Sequence, residues 1–209
     1  MPLFRLVLAL CLGSTAALAQ PPPARTIAIL GDSLSAGLGV QPEQAFPALV
    51  QQTIRERGLP FEVINAGVSG DTTAGGLRRL DWLLQRKIDL LIIELGGNDG
   101  LRGLPMSNIK ANLQAMIEKA RAKNPEVKIV IAGMQMPPNV GATYAEEFRQ
   151  VFAEVARENN ATMIPFLLEG VGGRREFNQP DLIHPNPIGH KMVADVVWKA
   201  IEPLLMSHE

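Results

Sequence analysis

The 209-residue chain carries 20 Lys and Arg against 21 Asp and Glu, a formal net charge of −1, and 46% of its residues are hydrophobic. That balance excludes a nucleic-acid or anionic-membrane footprint, since both need a basic excess. The apolar fraction suits one domain with a sizeable core, and no charge block or internal repeat interrupts it.

The chain opens on a leader pattern. Arg5 gives a short positive region, Leu6–Leu12 an apolar core, and Ala17-Leu18-Ala19 a small-x-small cleavage site. The apolar run is too short to span a bilayer and leads into Gln20-Pro21-Pro22-Pro23, a stiff spacer. Residues 1–19 are therefore expected to be a signal peptide and 20–25 a Pro-rich spacer, with the mature protein periplasmic or secreted and free of an integral membrane segment. Cys11 is the single cysteine. Leu10 precedes it where lipidation favours a small residue, so Cys11 is expected to leave with the leader, and the mature chain then has neither a disulfide nor a thiol nucleophile.

Thr26–Leu30 reads as a buried strand that stops at Gly31-Asp32-Ser33. Apolar residues at helical spacing follow over Ala45–Arg57, with Gly58 as the terminating glycine. Phe61–Asn65 is a second strand, running into the glycine-rich loop Ala66–Thr73 and then a helix to about Lys87 whose buried stripe is Leu77, Leu80, Leu83 and Leu84. Asp89–Leu95 is a third, nearly uniformly apolar strand ending in Gly96-Gly97-Asn98-Asp99-Gly100, and Ser107 is the expected N-cap of the next helix, to about Lys123. Val127–Met134 is a fourth strand, Tyr144–Asn159 a helix, Thr162–Phe166 a fifth strand weakened by Pro165, and Ile188–Leu205 the last helix. Strands and helices alternate five times, which predicts a single three-layer α/β/α domain on a five-stranded parallel sheet.

In such sheets ligands bind at the C-terminal strand ends, and a serine delivered there is a candidate nucleophile if a base reaches it. Of the three histidines, His208 lies in the tail, and His190 falls in the first turn of the last helix, where packing or capping is expected. His184 sits in a loop three residues after Asp181, a spacing that lets the carboxylate meet Nδ1 and leaves Nε2 facing outward, free to take a serine proton. Oxyanion donors are then sought in the Ser33 amide, the Gly70 amide and the Asn98 side chain; turn geometry is the competing reading of Gly70, and an Asx-turn that of Asn98. The chain has no G-x-S-x-G, S-x-x-K, P-loop or H-E-x-x-H, and its histidines lack metal-ligand spacing, so a cofactor-free mechanism is expected. Leu101, Leu104, Met106 and Met136 are candidates for an apolar acyl site or, equally, for core packing. Arg174 and Arg175 stand in a loop where solvation is the default.

These blocks, GDSLSAG, NAGVSGDTT, GGND and DLIHP, resemble the SGNH hydrolases, also called the GDSL family, over essentially the whole mature chain. The resemblance implies a flavodoxin-like hydrolase domain over 26–207, with Ser33 as nucleophile, Gly70 and Asn98 as oxyanion residues, Asp181 as triad acid and His184 as base. The overall pattern is similar to the bacterial arylesterase and thioesterase/lysophospholipase branch, which implies a small acyl ester or thioester as substrate. Acyl transfer, or carbohydrate deacetylation at the same site, is the alternative chemistry, and an exported lipid- or ligand-binding protein on this fold the non-enzymatic one.

Overall fold

The computed structural model describes residues 24–206. The expected leader, Cys11, most of the spacer and His208 lie outside those residues. Five parallel strands, β1 (Arg25–Gly31), β2 (Phe61–Gly67), β3 (Leu90–Glu94), β4 (Lys128–Ala132) and β5 (Thr162–Ile164), form one sheet in the order β2-β1-β3-β4-β5. The first strand thus begins inside the segment expected to be spacer.

Helices α1 (Ser33–Ala36), α2 (Phe46–Glu56), α3 (Thr73–Leu83), α4 (Gly97–Leu101), α5 (Met106–Lys123), α6 (Ala142–Glu158) and α7 (Pro187–Met206) make the connections. One layer pairs α2 with α7; in the other α5 packs against both α3 and α6. With both faces covered, the middles of β1 and β3 are apolar: Ile27 to Leu30 and Leu90 to Ile93 are all buried. Each such side chain contributes on the order of 2 kcal/mol by leaving water.

Several boundaries depart from the sequence reading. Helix α3 ends at Leu83, short of Lys87, because the chain must straighten to enter the sheet: the Asp89 amide donates to Thr26 O at 2.9 Å, and Asp89 Oδ2 accepts the Thr26 amide at 2.8 Å. Pro105, and not Ser107, stands at the N-cap of α5, and its carbonyl accepts from Asn108 and Ile109; its ring fixes φ at a value that suits helix entry. β5 stops at Ile164, since Pro165 has no N–H for the ladder. The Gly97–Leu101 segment, for which the sequence reading names no element, winds into α4.

Connections leave β1 to one side toward β2 and return to its other side as β3, so a crevice opens at the C-terminal ends of β1 and β3. Gly31, Gly67 and Glu94 stand in one row there, paired across the three strands. The segments that follow each of them share that edge.

Candidate active site

Ser33 is the first residue of α1, two residues beyond the row. Asp32 caps that helix, its Oδ1 accepting the Leu34 amide at 3.0 Å. A glycine is required at position 31, because a Cβ there would strike the Ser35 and Glu94 side chains. The tight strand-to-helix turn leaves Ser33 Oγ 2.9 Å from His184 Nε2.

The histidine comes from the loop between β5 and α7. Its Nδ1 lies 2.7 Å from Asp181 Oδ2, while Asp181 Oδ1 accepts the amides of Ile183 at 2.9 Å and His184 at 3.0 Å. Turning so tightly places Leu182 at φ +61°, a conformation that costs a branched residue roughly 1–2 kcal/mol and is held by the loop's own bonds. Gln179 donates its amide to His184 O at 2.8 Å and its side-chain Nε2 to Leu38 O at 2.6 Å, tying the histidine loop to the segment after α1. Partial burial works upward on the Asp181 carboxyl, but the amide and ring of His184 and the Ile183 amide outweigh it and hold the group below the usual carboxylate range. Hydroxyl, imidazole and carboxylate are therefore in hydrogen-bond sequence, the geometry a nucleophile, a base and its orienter need.

Gly70 lies three residues past Gly67 in the β2–α3 loop at φ +79°, a conformation that favours glycine. Its N–H has no acceptor among the described residues, and neither has that of Ser33. Asn98, in α4, donates one Nδ2 hydrogen to Asp32 Oδ2 at 2.9 Å and keeps the other.

Two arginines hold the Gly70 loop. Arg79 donates through Nε to Asp71 at 2.7 Å, through Nη1 to Ala66 O at 2.7 Å and through Nη2 to Gly31 O at 2.8 Å; Arg102, beside α4, donates to Gly70 O at 2.9 Å. Asp99 braces the start of α3, accepting the Thr73 amide at 2.8 Å and hydroxyl at 2.6 Å. His190 lies in α7 with Nδ1 accepting the Phe46 amide at 3.2 Å, a structural partner of α2.

An apolar cavity of about 300 Å³ opens beside Ser33, walled by Leu34, Leu101, Met136, Phe166, Leu182 and Ile183. Of the four acyl-site candidates, Leu101 and Met136 reach it. Leu104 and Met106 do not: Met106 packs on the core and borders a separate cleft with Ser107 and Lys110. Arg174 and Arg175 are exposed. Among the described residues no three His, Cys, Asp or Glu side chains gather where they could hold a metal ion.

Sequence reading missed Glu94 and Arg79. For Glu94 the signal was present, an acid inside the otherwise apolar run Leu90–Leu95, whose neighbours announce burial on both faces. Arg79 gave none, since an arginine on a helix is ordinarily a solvated one.

Residues 29–192 match the model of the GDSL-like Lipase/Acylhydrolase family. The chain is 43% identical over 189 residues to Esterase TesA of Pseudomonas aeruginosa, covering 90% of this chain and 93% of that protein. It is 36% identical to Thioesterase 1/protease 1/lysophospholipase L1 of Escherichia coli K12, covering 87% of this chain and 86% of that one. The crystal structure of the psychrotrophic esterase EstA from Pseudoalteromonas sp., inhibited by monoethylphosphonate, superposes with a TM-score of 0.81 at 35% identity, covering 87% of this chain and 98% of that one. Family match, long-range identity and shared architecture together assign the chain: it belongs to the GDSL-like Lipase/Acylhydrolase family and is a hydrolase of ester bonds.

Proposed function

We propose that the protein is an exported serine esterase acting on acyl esters and thioesters through Ser33, His184 and Asp181. The observation that carries this reading is the unbroken relay from Ser33 Oγ through both ring nitrogens of His184 to Asp181, at 2.9 and 2.7 Å, beside an apolar cavity. Ser33 Oγ bonds to the acyl carbon as its proton passes to His184 Nε2, and Asp181 stabilises the imidazolium from Nδ1. The tetrahedral oxyanion is received by the amides of Ser33 and Gly70 and by the second Nδ2 hydrogen of Asn98. His184 returns the proton to the departing alcohol or thiol. Water then attacks the acyl-enzyme with His184 as base, releasing the carboxylic acid and restoring Ser33.

Thioester turnover is carried over from the thioesterase named above, and the phosphonate-inhibited esterase supports a phosphonate as probe. A fluorophosphonate should label wild type at Ser33 and leave Ser33→Ala unlabelled, with p-nitrophenyl ester turnover lower by several orders of magnitude in the variant, since triad members act as a unit. Turnover at the wild-type rate in Ser33→Ala rejects the assignment. Export follows from the leader pattern over residues 1–19, and N-terminal sequencing of protein recovered outside the cytoplasm should begin near Gln20. Among the described residues no helix is long and apolar enough to cross a membrane.

A further inference from the structure

Glu94 closes β3 with a side chain 0% exposed to solvent. Its Oε2 accepts three bonds from the turn that carries Ser33: the amides of Asp32 and Ser35, each at 3.1 Å, and the Ser35 hydroxyl. Its Oε1 is buried and accepts no hydrogen bond from the described residues. Asp32 stands against it with both oxygens engaged, Oδ1 by the Leu34 amide and Oδ2 by Asn98.

Those bonds account for the turn's donors almost completely. The Asp32, Leu34 and Ser35 amides go to carboxyl oxygens, and that of Ala36 goes to Asp32 O. Among the described residues, only the Ser33 N–H of this turn is left without an acceptor. The carboxyl of Glu94 takes the Asp32 and Ser35 amides, which fixes the peptide planes that flank the two of Ser33, while Asp32 Oδ1 fixes the Ser33–Leu34 plane between them.

A buried carboxylate needs both oxygens satisfied by donors, whereas in a neutral acid the oxygen that accepts no bond carries the proton and donates it, here toward the Asp32 carboxylate that is its side-chain hydrogen-bond partner. Asp32 meets the first condition and Glu94 the second. Ionising both would also set two negative charges against each other inside the protein. Desolvation first, and then the Asp32 charge, push the Glu94 carboxyl well above its ordinary range.

We propose that Glu94 is a positioning residue for ester hydrolysis, a neutral acid whose Oε2 gathers the Asp32 and Ser35 donors and so presents Ser33 to His184 and to the oxyanion. This rests on the reading of Ser33 as the nucleophile. The role needs an acceptor of the right length and no charge, which makes the glutamine variant the discriminating one.

The test compares Glu94→Gln and Glu94→Leu with wild type in p-nitrophenyl ester hydrolysis across a pH series, with the rate of fluorophosphonate labelling of Ser33 measured in parallel. Glu94→Gln should keep kcat within about threefold and leave the pH profile unmoved, because the amide oxygen replaces Oε2 without a charge. Glu94→Leu should lower kcat and the labelling rate by about 10²-fold, the scale of a reacting group misplaced by an ångström, with KM little changed. Should Glu94→Leu fail to fold, infrared difference spectra of wild type against Glu94→Gln near neutral pH decide: a protonated-carboxyl C=O band in wild type is expected, and its absence overturns the proposal. Wild-type kcat in Glu94→Leu, or a loss in Glu94→Gln as large as that in Glu94→Leu, overturns it too. Turnover surviving in Ser33→Ala would instead remove the nucleophile assignment itself, a failure separable from this one.

Discussion

Asn98 divides its amide between two tasks. One hydrogen goes to Asp32 Oδ2 at 2.9 Å, which fixes the plane of the side chain, and the other is the one proposed to meet the reacting oxygen. Because that oxygen becomes fully charged only in the transition state, Asn98→Ala should lower kcat by about 10²–10³-fold, or 2.7–4 kcal/mol, and leave KM nearly unchanged. Steady-state kinetics on a p-nitrophenyl ester check this, and a rise in KM at constant kcat would assign Asn98 to ground-state binding. The proposed triad, by contrast, should show no additivity: adding His184→Ala to Ser33→Ala should cost nothing further. At this scale the sequence was legible where residue type and loop position coincide, as with Ser33 after a strand and His184 three residues from Asp181. Glu94 and Arg79 escaped because their meaning lies in contacts with segments 59 and 48 residues away in sequence, which no local pattern encodes.

Helix α2 starts without a side-chain cap of its own, since Ala45 occupies the N-cap position. His190 of α7 supplies the acceptor, its Nδ1 taking the Phe46 amide at 3.2 Å while its ring stacks on Phe46 at 6.4 Å between centroids. The bond requires a neutral imidazole with Nδ1 unprotonated. Burial, with a smaller contribution from His184, lowers the His190 pKa to about 4, against about 6.5 in the unfolded chain. The folded state therefore binds fewer protons between those values. Stability from this group is fully present above about pH 6.5 and is lost as pH falls toward 4, by at most about 3 kcal/mol. Wild type should lose Tm steadily over that window, and His190→Gln, which cannot titrate, should start lower at neutral pH and show a flatter profile; parallel slopes would reject the account. Element type was readable wherever apolar runs or helical spacing were long, as in β3 and α6. No element was named at α4, where Gly96-Gly97 carry no apolar spacing although their lack of side chains suits a helix start packed close to its neighbours.

A strand order that reverses direction about β1 gathers segments from four loops at one edge, and this also places the cavity. The convergence was legible because strand–helix alternation dictates that successive strand ends face the same way. Lining residues were legible only in part: Leu101 and Met136 reach the cavity while Met106 turns to the core, and sequence does not say which side of a loop faces inward. The cavity of about 300 Å³ sits at the lower end of small-molecule sites, so it should reward acyl length only until filled. Each methylene taken from water is worth about 0.8 kcal/mol, close to fourfold in kcat/KM. A p-nitrophenyl ester series from acetate upward should therefore climb by up to that factor per carbon and then level off. Leu101, 52% exposed at the rim, can carry a charge without unfolding the protein. Leu101→Asp should flatten the climb and spare acetate turnover, because only a chain long enough to reach the rim meets the carboxylate. A wild-type series flat from acetate onward would mean that the acyl chain lies elsewhere.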